Sequence, residues 1–410
     1  MLAAAALGTT ASTHGCQMSQ ATNYPPKLDP LPSGEAKAVE WHVVSLDEPP
    51  EERWLKVVKP HAKEIAAVAN DCVKVVARIL GNNTLSRLLS GLDSHLPQYY
   101  ASLPDDDYGK EIKAVARVVG IDESIMFLYS IVYTVFGACT SIVAENDDGS
   151  IWHARNLDFG LWPSFNFSGH NFWEMTALLR PMVINVDVQR GGRTVFQHTT
   201  FAGFLGVHTA LKPGAFSLSI DSRFDDHFDA GLLRYLLEPG AHTGAEVTLL
   251  SRHVFETAGS YAEAFALLNA TRLLGPAYVI LGGVGRAEGA VITKGAAGKG
   301  ILAAEGKTIN VWSLASAQAS KDHFILETNY DHWADVLPFD DRRSPAYDCM
   351  RTRLGGPSGY NASGLYNVLS ATPNLNRLTV FTTLMHAGTG RFEAYRQFCV
   401  TTATRHCPLV

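Results

Sequence analysis

The chain is 410 residues long, 46% of them hydrophobic, with a formal net charge of −6. That is enough apolar material for one large domain or two smaller ones with a substantial core, and the weak acidity argues against a nucleic-acid partner, which calls for a basic face. No stretch of roughly 18 apolar residues, the length of a membrane-spanning helix, lacks charged or polar interruptions, and neither repeats nor long low-complexity tracts occur.

Met1 to Gly15 is alanine-rich but lacks a basic start and a long apolar core, so it reads either as a truncated secretion signal or as a tail. Residues 17 to 50 are Pro-rich, an extended arm in which Trp41 to Ser45 forms a short strand. From Lys56 the pattern is helical: Ile65, Val68, Cys72, Val75 or Val76, and Ile79 share a face, with Gly81 as C-cap. Leu85, Leu88, Leu89 and Leu92 continue the apolar theme. After the Asp105 to Asp107 turn, Ile112, Val115, Ala116 and Val119 mark a helix ended by Gly120. Another runs from about Asp122 through the apolar Ile125 to Phe136 into Gly137 and Ala138. The first third of the chain is mostly helical.

Cys139 then opens a β-hairpin. Thr140 to Ala144 is a β-branched run, Asn146 to Gly149 a turn cluster, and Ile151 to Ala154 the return strand. With the turn centred on Asp147 and Asp148, Cys139 lies opposite Asn156, with Arg155 and Asp158 to either side. A thiol, a guanidinium and a carboxylate thus converge at one end of the ribbon. On spacing alone, a cysteine at a strand start is more often a small buried hydrophobe.

A β-meander follows, with strands at Glu174 to Leu179, Val183 to Gln189, Thr194 to Thr199, Gly206 to Leu211 and Ala215 to Ile220. Arg190 to Arg193 is a two-residue hairpin signal, and Lys212 to Gly214 a further turn. Helices are expected at about 228–238, 244–258 and 260–270, the last with Ser260 and Glu263 as capping box. Strands return at Tyr278 to Leu281, Gly289 to Thr293, Ile309 to Ser313 and Phe324 to Thr328, then helices at about 344–354 and 363–371, and strands at Leu378 to Leu384 and Arg391 to Phe398. Antiparallel strands and helices in separate blocks indicate an α+β layered fold.

Competing motifs fail. Gly282 to Gly289 lacks dinucleotide-loop spacing and lies between strands. There is no Gly-x-Ser-x-Gly elbow or His-Glu-x-x-His, and no cysteine cluster has zinc spacing. Asp221 to Asp229 has the carboxylates to hold a cation, but a solvated loop is the commoner reading. Cys16, Cys72, Cys139, Cys349, Cys399 and Cys407 permit several disulfide schemes. Sequons at Asn82, Asn166, Asn269 and Asn361 fit a secreted route.

The segment Cys139-Thr-Ser-Ile-Val-Ala with Arg155-Asn-Leu-Asp-Phe-Gly160 resembles the start of the mature β-subunit of acid ceramidases and N-acylethanolamine acid amidases. The resemblance extends to Ser45 to Pro50, Thr200 to Phe204, Pro276 to Gly283, Glu327 to Trp333, Asp340 to Pro345 and Leu378 to Thr383, in consistent order almost to the C-terminus. It implies the αββα sandwich of N-terminal-nucleophile hydrolases, with a mostly helical α-subunit over 1–138 as pro-segment and a catalytic β-subunit over 139–410, both from one self-cleaved precursor. It implies disulfides Cys16 to Cys349 and Cys399 to Cys407, leaving Cys72 and Cys139 free.

The roles that the resemblance implies are physical. Cys139 attacks first the carbonyl of Ala138, then a substrate amide; the freed α-amine, with a reference pKa of about 7.7–8.0, relays protons to the thiol. Arg155 and Asp158 fix thiol and amine, with Asp158 accepting from the terminal nitrogen. Asn329 supplies an oxyanion donor, and Arg342 orients the same region. The bland alternatives are an Asx turn for Asn329 and a surface ion pair with Asp340 or Asp341 for Arg342. One departure stands out: where the family often has Glu-Arg, this chain has Asp221-Ser222-Arg223.

The implied activity is hydrolysis of the amide of an N-acyl lipid, ceramide first, N-acylethanolamine as the alternative, or retention as a catalytically altered lipid-binding relative. The implied setting is lysosomal or secreted, peripheral to a membrane or micelle surface, without a cofactor or metal.

Overall fold

The computed structural model describes residues 15, 16, 18, 37–131, 137–160, 165–166, 172–223, 244–295, 311–336, 340–399 and 407. The expected helix at 228–238, the helical stretch at 132–136, most of the arm before residue 37, residues 224–229 of the acidic cluster and the strand start at 309–310 lie outside them.

The arm ends in β1 (Lys37–Ala38) and β2 (Glu40–Ser45). Helices α1 (Leu55–Val58), α2 (Ala62–Leu80), α3 (Asn82–Ala101), α4 (Asp106–Val119) and α5 (Glu123–Ile131) follow. Ile65, Val68 and Cys72 are buried on α2, as the helical period predicts. Asp105 caps α4 by accepting from the Asp107 amide at 2.8 Å, and Gly120 ends it in the left-handed region at φ 76°.

Next come the hairpin β3 (Gly137–Glu145) and β4 (Ile151–Phe159), then β5 (Phe165–Asn166), β6 (Phe172–Trp173), α6 (Glu174–Leu179), β7 (Val183–Arg190), β8 (Arg193–Phe201), β9 (Thr209–Lys212) and β10 (Phe216–Ser222). The rest is α7 (Val247–Thr257), α8 (Tyr261–Ala270), β11 (Ala277–Gly282), β12 (Gly289–Lys294), β13 (Val311–Ser313), α9 (Leu314–Ala319), β14 (Phe324–Glu327), α10 (Arg343–Asp348), α11 (Ala362–Ser370), β15 (Thr379–His386) and β16 (Arg391–Arg396).

Two sheets form, one ordered β1-β16-β15-β4-β3-β14 and the other β13-β12-β11-β10-β9-β8-β7-β2. They face each other: Val143 and Ile151 of the first pack with Tyr278, Ile280 and Val291 of the second. On the outer face of the first, Ile142, Ala144 and Ala154 pack with Leu365 and Leu369 of α11. On the outer face of the second, Phe196 and Phe216 stack on Phe255 of α7, with ring centroids 5.2 and 4.7 Å apart. The fold is therefore the expected α+β, αββα sandwich.

The structure corrects several local expectations. Glu145 pairs with Ile151, so the hairpin loop is residues 146–150, centred on Asp148, with Gly149 at φ 85°. Cys139 consequently lies opposite Leu157 rather than Asn156. Because side chains alternate with a period of two, that single step moves Arg155 onto the same face as Cys139 and Asp158 onto the other.

Glu174–Leu179 is a helix rather than a strand. A six-residue apolar run does not reveal its period, and Glu, Met, Ala and Leu are strong helix formers; Met175 and Leu179, one turn apart, are both buried. The strand expected from Gly206 begins only at Thr209, because the preceding segment turns at Gly203, φ 84°. Helix α9 was not expected; Ser313 caps it, exchanging bonds with Ser316.

Candidate active site

Cys139 is fully buried in β3, facing the second sheet. Arg155, across the hairpin and two pairs along, lies on that same face and brings Nη2 to 2.6 Å from Sγ. The guanidinium is itself held by carbonyls: Nη2 donates to Ile220 at 2.7 Å and Nη1 to His208 at 2.7 Å, with Thr209 Oγ1 also bonded. Asp221 Oδ1 lies 3.6 Å from Nη2. Burial pushes the Cys139 thiol up to about 12, against the pull of the Arg155 cation. Burial thus favours the neutral thiol over the thiolate.

The backbone of Cys139 is gripped at both ends. Its amide donates to Asn329 Oδ1 at 2.8 Å, and its carbonyl accepts from Arg342 Nη1 at 2.7 Å. Arg342 Nη2 also donates to Asn329 Oδ1 at 2.6 Å, while Nη1 reaches Asp158 Oδ2 at 3.1 Å. Asp340 completes the clamp, accepting from Nε at 2.6 Å and Nη2 at 2.9 Å. Burial works against the Arg342 cation, but Asp340 and Asp158 outweigh it and hold its pKa above the usual value.

Arg155, Asn329 and Arg342 thus meet Cys139 directly, while Asp158 reaches it through Arg342. The Cys139 nitrogen donates to Asn329, the partner that the sequence reading gave to Asp158. Asp158 instead faces the helical layer, accepting from Arg342 and from Asn376 Nδ2 at 3.1 Å, and burial raises its carboxyl despite Arg342. The Arg342–Asp340 pair is buried rather than a surface contact. Asn329 Nδ2 donates to the Ser222 carbonyl at 2.7 Å and lies 3.4 Å from that of Gly137, just upstream of the Ala138–Cys139 bond.

Asp221 and Ser222 are buried in β10 rather than in a solvated loop. Asp221 accepts from Ser141 Oγ at 2.8 Å, and burial lifts its carboxyl to about 7 despite Arg155. Behind Ser141 stand residues that sequence reasoning did not find: Ser219, His153 and Ser217. No short motif links residues so far apart in the chain; alternation on β3, β4 and β10 is the one signal that aligns them. Asn376 and Asp340 were likewise given no role at the site.

Cys16 is bonded to Cys349 and Cys399 to Cys407, while Cys72 and Cys139 are free and buried. Of the sequons, Asn82 is exposed at the start of α3, and Asn269 and Asn361 are half-buried. The Asn361 side chain caps α11, accepting from Gly364; the Asn166 side chain lies outside the described residues. Among the described residues no helix is long and apolar enough to cross a membrane, and no group of three His, Cys, Asp or Glu could hold a metal ion.

The model of linear amide C–N hydrolases of the choloylglycine hydrolase family matches residues 139–355, beginning at Cys139, and that of the beta subunit of N-acylethanolamine-hydrolyzing acid amidase matches residues 37–99. Acid ceramidase of Mus musculus is 34% identical over 388 residues, 94% of this chain and 92% of that protein. Acid ceramidase of Homo sapiens is 34% identical over 388 residues, with 94% and 91% covered. The solved structure of a Caenorhabditis elegans N-acylethanolamine-hydrolyzing acid amidase ortholog is 31% identical, with a TM-score of 0.49, covering 63% of this chain and 99% of that one.

Proposed function

The chain belongs to the amide hydrolase family of acid ceramidases and N-acylethanolamine acid amidases, and on that premise we propose that it cuts its own Ala138–Cys139 bond and then hydrolyses N-acyl lipids, ceramide first, to fatty acid and amine. The observation that carries this reading is the clamp on Cys139: Arg155 on its sulfur, Asn329 on its nitrogen and Arg342 on its carbonyl.

In the first step the thiol attacks the Ala138 carbonyl, dividing the chain into residues 1–138 and 139–410. Cleavage turns the Cys139 amide into an α-amine, held where Asn329 Oδ1 already accepts from it. Departure of Gly137 also releases one Nδ2 hydrogen of Asn329, since that carbonyl is its 3.4 Å neighbour. That hydrogen then becomes available to a tetrahedral oxyanion, an interaction worth roughly 2.7–4 kcal/mol. During turnover the amine takes the thiol proton and returns it to the leaving amine of the substrate, through an acyl-enzyme that water hydrolyses.

The acid ceramidases, 34% identical over most of their length, favour ceramide; the match at residues 37–99 supports N-acylethanolamides as the second reading. Two disulfides suit an oxidising route to a lysosomal or secreted destination, and the substrate class calls for peripheral contact with a membrane or micelle. No cofactor enters these steps. The test is a product assay with paired ceramide and N-acylethanolamine substrates, using the wild type and Cys139→Ala. We expect sphingosine release by the wild type and one uncut, inactive chain from the variant; cleavage at the same bond in Cys139→Ala removes the proposal.

A further inference from the structure

Self-cleavage poses a proton problem that turnover does not. Before the chain is cut, the Cys139 nitrogen is an amide that donates to Asn329, so it cannot take the thiol proton, and Arg155 beside the sulfur is already a cation. Another group must act.

The nearby candidates differ sharply. Asp158 lies on the opposite face of the hairpin, bonded to Arg342 and Asn376. Glu327 sits across from Ser141 on β14, with Oε2 3.4 Å from His332 Nδ1. His208 offers its carbonyl to Arg155, and burial beside that cation disfavours protonation of its ring. Asp221 remains. It faces the sulfur's side of the hairpin, and Arg155 Nη2 touches Sγ at 2.6 Å and lies 3.6 Å from Asp221 Oδ1. Its Oδ2 is buried with no hydrogen-bond partner among the described residues.

Asp221 is also supported from behind. Ser141 Oγ donates to Oδ1 at 2.8 Å, and Ser219 Oγ donates to Ser141 Oγ at 2.9 Å. Ser219 lies 2.9 Å from His153 Nε2, His153 Nδ1 lies 3.0 Å from Ser217 Oγ, and Ser217 donates to the Gly282 carbonyl at 3.2 Å. All of these side chains are buried. The row runs between the two sheets and fixes one carboxylate oxygen while the other stays open.

We propose that Asp221 takes the Cys139 thiol proton in the self-cleaving step, before any α-amine exists, and that Ser141, Ser219, His153 and Ser217 are positioning residues holding its carboxylate for that task. The proposal rests on the reading of Cys139 as a self-cleaving nucleophile. The proton passes from Sγ to Asp221 as the bond from Sγ to the Ala138 carbonyl carbon forms. The Ala138–Cys139 C–N bond then breaks and Asp221 gives the proton to the departing nitrogen. Water hydrolyses the thioester, its hydroxyl going to Ala138 and its other proton to sulfur.

The experiment follows self-cleavage of purified precursor on gels at pH 7.5, above the value of about 7 to which burial lifts the Asp221 carboxyl, for wild type, Cys139→Ala, Asp221→Asn, Ser219→Ala and Ser219→Thr. Asp221→Asn should cleave about a hundredfold more slowly, the lower end of what a general base contributes. Material of that variant that has cleaved on long incubation should lose no more than about tenfold in turnover of an N-acyl amide per cut molecule, so that the loss falls mainly on cleavage, because the α-amine now serves. Ser219→Ala should slow cleavage about tenfold, with Ser219→Thr restoring it. Wild-type cleavage in Asp221→Asn, or equal loss of cleavage and of turnover per cut molecule, overturns the role of Asp221. Wild-type cleavage in Ser219→Ala overturns that of the row. A wild-type precursor that never cuts, or a Cys139→Ala chain that does, defeats instead the reading of Cys139.

Discussion

Arg342 donates through Nη1 to the carbonyl of Cys139 at 2.7 Å, so a residue 203 positions away holds Cys139 by its backbone rather than its sulfur. The same guanidinium contacts Asn329, Asp158 and Asp340. These contacts use the planar fork of arginine, which an ammonium cannot reproduce.

Arg342→Lys should therefore keep a charge yet lose both self-cleavage and turnover by about a hundredfold or more, the scale of a lost positioning contact. Arg342→Gln leaves Asp158 and Asp340 buried without their cation and should cost about 3–5 kcal/mol of stability. Urea denaturation of both variants, with cleavage followed on gels, separates the two effects. Arg342→Lys that cleaves and turns over at wild-type rates would reduce the clamp to a structural ion pair.

Asn329→Ala removes the acceptor of the Cys139 nitrogen and a candidate oxyanion donor together. Cleaved protein carrying it should bind an N-acyl amide with little change in KM and lose about a hundredfold in kcat. A near-wild-type kcat would assign the oxyanion to backbone amides or to Arg342.

Glu111 on α4 joins the helical segment to the catalytic one. It accepts from both Nη atoms of Arg252 on α7, from Arg53 Nη1 at 3.1 Å and from Trp54 Nε1 at 2.8 Å. Glu111→Gln leaves the buried Arg252 with Glu256, 2.8 Å from its Nε, in place of two carboxylates and should lower stability by about 3 kcal/mol. The urea midpoint in a Cys139→Ala background, where the chain stays whole, measures this; a shift below 1 kcal/mol on the scale of an exposed pair would show that the cluster relaxes around the change.

Asp221 should leave a mark on the pH dependence of stability. Its carboxyl is lifted to about 7 in the fold, against about 3.9 in an unfolded chain. Between those limits the folded state keeps a proton that the unfolded state has lost, so this group's contribution is intact below about pH 4, falls as pH rises, and levels off above about 7. Asp221→Asn does not titrate there. Its stability relative to the parent, both in Cys139→Ala, should therefore rise between about pH 4.5 and 7.5. A constant difference would mean that Asp221 is ionised in the fold throughout.

The hairpin was legible in the sequence because β-branched runs flanking a turn cluster leave few alternatives, whereas the role expected of Cys139 at its end came from the resemblance. Its register was not: Asn146 to Gly149 supports loops of either parity, and only Ser150, bonded through its carbonyl to the Asn146 amide at 2.9 Å, sets the odd one. That one residue decides whether Arg155 or Asp158 shares a face with the thiol. The polar row behind Asp221 was hidden for another reason. Ser141, His153, Ser217 and Ser219 each look like ordinary strand residues, and their meeting depends on how two sheets stack. Glu174 to Leu179 shows a third limit, since a run shorter than two helical turns carries no readable period.

The arm at residues 37–45 belongs to both sheets at once. β1 is the outermost strand of one, paired antiparallel to β16, and β2 is the outermost strand of the other, parallel to β7, with buried Val39 between them. Residues 37–45 therefore supply a border to each sheet of the sandwich. Stripping them away after the cut would bare the hydrogen-bonding edges of β16 and β7 together, two templates for unwanted pairing with other chains. Under the proposed cut at residue 138 the arm would stay tied to the sandwich through the Cys16–Cys349 disulfide, a permanent hem on both sheets.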